Sequence, residues 1–97
     1  MYTVPAMKAN RSPKQLERLF KALANHWRIK ILLRLAKQPG INLDDLCFEL
    51  MGNVKTISEH TRKLALAGLI EKKYLGRTVI HTLTGEGESL HRFMETF

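Results

Sequence analysis

The stretch from Asn53 to Ile70, NVKTISEHTRKLALAGLI, constrains the fold more than any other part of the chain. Asn53 is a good N-cap, because its side-chain oxygen can accept a bond from an otherwise unpaired amide of the first turn. Gly68 stands where a helix can close in the left-handed conformation. Between them, at about 100° per residue, Val54, Ile57, Thr61, Leu64 and Ala65 fall on one side, and Lys55, Thr56, Glu59, Arg62 and Lys63 on the other. One face packs; the other offers forked, ammonium and hydroxyl donors suited to phosphates and base edges. An ordinary solvated amphipathic helix has the same pattern, so the neighbouring segments have to decide.

Those neighbours read as further helices and a hairpin. Residues 1–11 hold Pro5, Asn10 and scattered apolar positions, and are expected to be an N-terminal arm. Ser12 with Gln15 forms a capping box and Pro13 takes the first helical position, leading into Leu16, Leu19, Phe20 and Leu23 at helical spacing. Asn25 opens a second helix through Ala36, whose Ile29, Ile31, Leu32, Leu33 and Leu35 are apolar around most of its circumference and place it centrally. After Gln38, Pro39 and Gly40, Asn42 and Asp45 form another capping pair. A short helix follows with Leu43, Leu46, Cys47 and Leu50 on one face, and Gly52 is expected to close it. Only Gly52 and Asn53 then precede the next helix, the tight spacing of a helix-turn-helix.

Beyond Gly68 the period changes. Leu69 to Leu75 and Thr78 to Leu83 are rich in β-branched and aromatic residues and flank Gly76 and Arg77, as in a hairpin, with Val79, His81 and Leu83 on one side of the second strand. Thr84 can cap a last helix in which Leu90, Phe93, Met94 and Phe97 recur at helical spacing. The fold expected is mainly α, a winged helix-turn-helix of four helices, a two-stranded wing and a C-terminal helix, forming one domain over residues 12–97. So short a chain cannot cover the apolar faces of its first and last helices, and dimerisation through Leu16, Leu19, Phe20, Leu90, Phe93, Met94 and Phe97 would cover them.

Composition points the same way. The 97 residues make one small domain with little surplus for a large pocket, and no nucleophile, base and orienting group stand together, so no enzyme is expected. Sixteen Lys and Arg against nine Asp and Glu give +7, and the pI of 9.9 suits a polyanionic partner. From Asn53 to Thr82 six basic residues face two acidic ones, a local net of +4. A generally basic, soluble surface would have this balance too. The single cysteine, Cys47, excludes an intramolecular disulfide framework and suits a reducing cytosol. No run approaches the ~20 apolar residues of a membrane span, so a cytoplasmic location is expected.

The order and spacing over roughly residues 16–84 resemble the ArsR/SmtB-type winged-helix transcriptional regulators. LFKALANHWRIKILLRLA, Leu19 to Ala36, is similar to the family's opening helix pair with its Asp-Pro-x-Arg junction; Arg28 matches that junction, whereas Asn25 and His26 do not. TISEHTRKLALAGLI, Thr56 to Ile70, resembles the recognition-helix signature, matched at Thr56, Ile57, Ser58, His60, Leu64, Ala67, Gly68 and Leu69. Thr61 departs from it, standing where the family places an apolar residue; its hydroxyl is expected to bond back to the helix and to pack less well. The terminal LTGEGESLHRF, Leu83 to Phe93, looks more like a MarR-type ending.

The resemblance implies a dimeric repressor that binds an inverted-repeat operator on double-stranded DNA, its half-sites about one helical turn apart at roughly 10 bp. It places the recognition helix over 54–67 and the wing over 70–83. By position, Lys55, Thr56, Ser58, Glu59 and Arg62 would face the major groove, with Lys63 nearer the backbone and Lys72, Lys73 and Arg77 of the wing over phosphates or the minor groove. Glu59 is expected to pair with Lys55 or Lys63 rather than with a cytosine amino group. A solvated face remains open for the wing charges.

Many members of this family hold a metal through a Cys-x-Cys pair in the short helix, but Asn42 and Asp44 align with it here. Cys47, one turn onward, reads as a small buried core residue. A second family site in the last helix lacks its acids, since Ser89 and Met94 stand where partners of His91 are needed; His91 and Glu95 alone are weak evidence for a metal. His60 is expected to bond within the helix-turn-helix or to pack, and His81 to fill part of the hairpin core. Neither a metal site nor a cofactor is expected, and the inducer is unspecified. The competing reading is a winged-helix module that binds protein and not DNA, using the C-terminal apolar stripe. A redox switch at Cys47 ranks below both, because a thiol on an apolar face ionises poorly.

Overall fold

A computed structural model describes residues 11–97. Of the expected arm only Arg11 is among them; residues 1–10 lie outside the described residues. The chain runs α1 (Pro13–Leu23), α2 (His26–Lys37), β1 (Ile41–Asn42), α3 (Leu43–Leu50), α4 (Val54–Leu66), β2 (Ile70–Leu75), β3 (Thr78–Leu83) and α5 (Gly85–Met94). This is the winged helix-turn-helix expected, with one addition.

The helix starts follow from local chemistry. Ser12 and Gln15 exchange the two bonds of a capping box, Asn25 accepts from the amides of Trp27 and Arg28, and Asn42 accepts from that of Asp45 at 2.8 Å. Buried Ile31, Leu32 and Leu35 let α2 pack against α1, α3, α4, α5 and β3, while Leu33, expected to be apolar all round with them, stays exposed. Each fully buried Leu or Ile of this kind contributes about 1.5–3 kcal/mol. Leu19, Leu23, Leu46, Cys47, Ile57, Leu64, Leu69, Ile70 and Leu90 complete the core.

The addition is β1. The wing was expected as a two-stranded hairpin, but the sheet has three antiparallel strands in the order β1-β3-β2, with Ile41 opposite His81 and Asn42 opposite Ile80. Gly40 donates its amide to the His81 carbonyl at 2.9 Å and so starts the pairing. Asn42 ends β1 and caps α3, leaving no linker between wing and helix-turn-helix.

A second difference lies in the turn. Met51, not Gly52, adopts the left-handed conformation that closes α3, at φ 55°. The Gly52 amide reaches the Cys47 carbonyl at 3.0 Å, as in a Schellman closure. Gly52 serves another need: a Cβ there would sit 2.8 Å from Ile57 Cδ1 and 3.1 Å from Trp27 Cζ3. The turn therefore holds three residues, Met51, Gly52 and Asn53.

At the other end of α4, Gly68 (φ 79°) allows the amide of Leu69 to bond Leu64 and its own amide to bond Ala65, both at 3.0 Å. Thr84 caps α5 and donates its hydroxyl to the Gly68 carbonyl, tying α5 to the end of α4. Arg11 pairs with Glu86 on the same side of the molecule.

Candidate nucleic-acid interface

Helix α4 owes its orientation to its buried side. Ile57, Thr61 and Leu64 are fully buried, and Thr61 donates its hydroxyl to the Ser58 carbonyl at 2.9 Å, satisfying the one polar atom that this face takes out of water. Val54, expected on the same side, is about half exposed (52%) and belongs to the outer rim of the helix. Asn53 accepts from the Thr56 amide at 2.8 Å and fixes the first turn.

The opposite side presents Lys55, Glu59, Arg62 and Lys63 to solvent, with Thr56 and Ser58 partly covered at its edge. Glu59 pairs with Arg62 rather than with Lys55 or Lys63. The guanidinium donates through Nε to Glu59 Oε2 at 3.2 Å and through Nη2 to Oε1, so the contact is bidentate along one helix turn. Spacing three residues apart suits the planar fork, whereas an ammonium supplies only a point charge. The bond to Arg62 holds the Glu59 carboxyl below its ordinary value, aided by the charges of Arg62 and Lys63.

The three wing cations do not share one surface. Lys72 and Lys73 are neighbours on a strand, so their side chains leave opposite faces of the sheet. Lys72 lies opposite His81 and is half-buried on the side toward α4; burial first, then repulsion by Arg62, lowers its pKa, against the attraction of Glu59. Lys73 is exposed on the other face and Arg77 is exposed in the two-residue turn, where Gly76 takes a positive φ of 62°.

Arg28 positions the helix that carries these groups, a role that sequence reasoning missed although it noted the residue. From α2 it donates through Nε to the Ala22 carbonyl and through Nη2 to the Lys21 carbonyl, while Nη1 reaches His60 Nδ1. The spent C-terminal carbonyls of α1, the start of α2 and the middle of α4 thus meet on one guanidinium. Lys30 lies over the Trp27 ring at 4.8 Å nearby.

His81 fills the space under the sheet, as expected. Its Nδ1 lies 3.0 Å from the Ile41 carbonyl, so that nitrogen carries the proton and donates, and Nε2 is buried with no partner among the described residues. Cys47 is buried, and burial with the nearby Asp44 charge pushes its thiol up. Among the described residues no three His, Cys, Asp or Glu side chains lie together as a metal would need; His91 and Glu95 approach only to 3.9 Å. No helix among them is long and apolar enough to cross a membrane.

Residues named for dimerisation divide between two environments. Leu19 and Leu90 turn into the chain's own core and Met94 is partly covered, whereas Leu16, Phe20, Phe93 and Phe97 are exposed. Phe93 and Phe97 meet edge to face with ring centres 5.2 Å apart. Phe48 and Met51, at the end of α3, are also exposed large apolar residues, and the sequence pattern gave no sign of them.

Residues 26–72, from the start of α2 into β2, match the family model of the bacterial regulatory protein, arsR family. Over that segment, just under half of the chain, the helix-turn-helix is similar to that of the ArsR family. Solved structures extend the likeness beyond that segment. HlyU from Vibrio cholerae superposes with a TM-score of 0.79 at 25% identity, over 93% of this chain and 96% of its own. A homodimeric winged helix-turn-helix DNA-binding domain from Mycobacterium bovis gives 0.77 at 27% identity, over 91% of this chain and 87% of that fragment. MarR gives 0.73 at 25% identity, over 82% of this chain and 61% of its own. None of the curated proteins matches at a significant level. The fold is that of these winged-helix transcriptional regulators.

Proposed function

We propose that the chain is a sequence-specific, dimeric DNA-binding repressor, acting in the cytoplasm on an inverted-repeat operator. The observation that carries this reading is the exposed face of α4, with Lys55, Arg62 and Lys63 held outward by the burial of Ile57, Thr61 and Leu64. In this reading Lys55, Thr56, Ser58, Glu59 and Arg62 enter the major groove, Lys63 meets the backbone, and Lys73 and Arg77 lie over phosphates. Lys72 supports the junction of wing and helix. Residues 12–97 form the DNA-binding domain, and Leu16, Phe20, Phe93, Met94 and Phe97 form the two-fold contact, backed by Leu19 and Leu90. The M. bovis domain is homodimeric, which supports that contact.

Selection of bound sequences from a random duplex pool at moderate salt tests the reading. An inverted-repeat consensus, with affinity that falls steeply as salt rises, is the expected result. Recovery of no enriched sequence and no salt-sensitive complex would overturn it.

A module that binds protein is the second reading. In its favour, α3 carries Asp44, Asp45 and Glu49 without one basic residue, and exposes Phe48 beside them. Phosphates would be repelled there. Partner binding that survives in a chain with no DNA affinity would favour this alternative.

A further inference from the structure

The geometry points to Glu59 as a positioning residue that turns Arg62 into a reader of guanine, an inference that rests on the DNA-binding reading above. A guanidinium has two bidentate edges: the side edge formed by Nε and Nη2, and the end edge formed by Nη1 and Nη2. Glu59 occupies the side edge, with Nε donating to Oε2 at 3.2 Å and Nη2 to Oε1. The end edge keeps both hydrogens of Nη1 and one of Nη2. That is the donor pair which matches the O6 and N7 acceptors of guanine in the major groove, and no other base presents two acceptors there.

Unbound arginine side chains on a helix sample many rotamers, and ordering one on binding has an entropic cost. Here the carboxylate limits that search before DNA arrives. Both groups are about half exposed in the free protein, where water weakens the pair. In the groove, water is displaced and the same contact strengthens. Lys72, half-buried on the wing and within electrostatic reach of both groups, adds positive charge from behind, so Glu59 also balances two cations where wing and helix meet. Glu59 thus serves specificity at the expense of raw attraction to phosphate.

The test uses the selected consensus duplex and variants of it with each base pair exchanged in turn, titrated against the full chain and against Glu59→Ala, Glu59→Gln and Arg62→Ala. The unsubstituted protein should prefer guanine at one position per half-site by roughly tenfold or more. Glu59→Ala should cut that preference to less than about threefold, with Glu59→Gln between, because its amide oxygen retains one acceptor. Binding to unrelated duplex should rise several-fold in both, as a carboxylate leaves the phosphate field. Arg62→Ala should abolish the preference at that same position and no other. A guanine preference kept in full by Glu59→Ala, or kept by Arg62→Ala, would overturn the assignment while leaving DNA binding intact. An unsubstituted chain that binds no duplex at all would overturn both this inference and the function on which it rests. Both side chains are exposed and neither packs in the core, so the variants are expected to fold, which far-UV circular dichroism checks.

Discussion

Arg28 Nη1 stands 3.1 Å from His60 Nδ1, and this contact joins the central helix to the middle of the recognition helix. Arginine cannot give up its proton, so it donates and the imidazole accepts, which leaves His60 neutral with its proton on Nε2. Burial first, and the Arg28 charge second, hold the His60 pKa below its ordinary value.

Removing the donor should loosen three helices together. Arg28→Ala leaves the Ala22 and Lys21 carbonyls and His60 Nδ1 without their shared partner, and a loss of about 1–3 kcal/mol in unfolding free energy is expected. Urea denaturation at fixed protein concentration reads it. An unchanged midpoint would show that the guanidinium contributes nothing net.

Adjacent residues of the turn should respond in opposite directions to changes that look alike. Met51 is almost fully exposed and left-handed, so Met51→Gly relieves backbone strain and is expected to stabilise by about 1 kcal/mol. Gly52→Ala drives a methyl into Ile57 and Trp27 and should cost about 1–3 kcal/mol. Thermal melts of the pair decide the matter; a loss from Met51→Gly would contradict the assignment of the left-handed residue to Met51, and a gain from Gly52→Ala would contradict the crowding at Gly52.

Acid should weaken the fold through its histidines. Burial lowers the pKa values of His60 and His81 from an ordinary 6.5. Between the folded and unfolded values the unfolded chain binds more protons, so the stability they contribute is complete above pH 6.5 and drains away as pH falls. Melting temperatures from pH 7.5 down to 5 should decline. Imidazole resonances of His81 that titrate at or above the ordinary value would refute this.

Opposite placement of the two wing lysines predicts different phenotypes. Lys73→Ala should weaken binding to all duplexes alike and lower the salt slope by about one. Lys72→Ala should act less on the slope, since that ammonium is half-buried toward α4. Equal effects on the slope would put both ammonium groups against phosphate.

Exposed aromatic rings at the chain end should govern assembly. Phe93→Asp places a carboxylate on a face that dimerisation would take out of water, and is expected to raise the dimer dissociation constant at least tenfold, with DNA affinity falling in step. Sedimentation at several concentrations measures it; an unaltered mass would remove α5 from the interface.

Much of the site was legible because its determinants are local. The caps at Ser12, Asn25, Asn42, Asn53 and Thr84 each act within three residues, and the buried Ile57, Thr61 and Leu64 announce themselves by period. What escaped depends on distance in the chain or on choice among equals. Two residues of β1 are too few to show alternation, and the partner that makes them a strand lies 40 residues on. Lys55, Arg62 and Lys63 are all within reach of Glu59, and fork geometry rather than spacing selected Arg62. In the sequence Gly52 looks like a helix stop, because a glycine needed for φ and one needed for room look identical as letters.

Asn42 is at once the last residue of a strand and the cap of α3, so the sheet and the helix-turn-helix share a rigid joint without slack. The hairpin is therefore not a detachable part. Grafting it alone onto another scaffold would strand Ile80 and His81 without their partners. A transplant of the wing would have to carry Gly40 to Asn42 with it, and an insertion at that joint would separate a strand end from the helix cap that it shares.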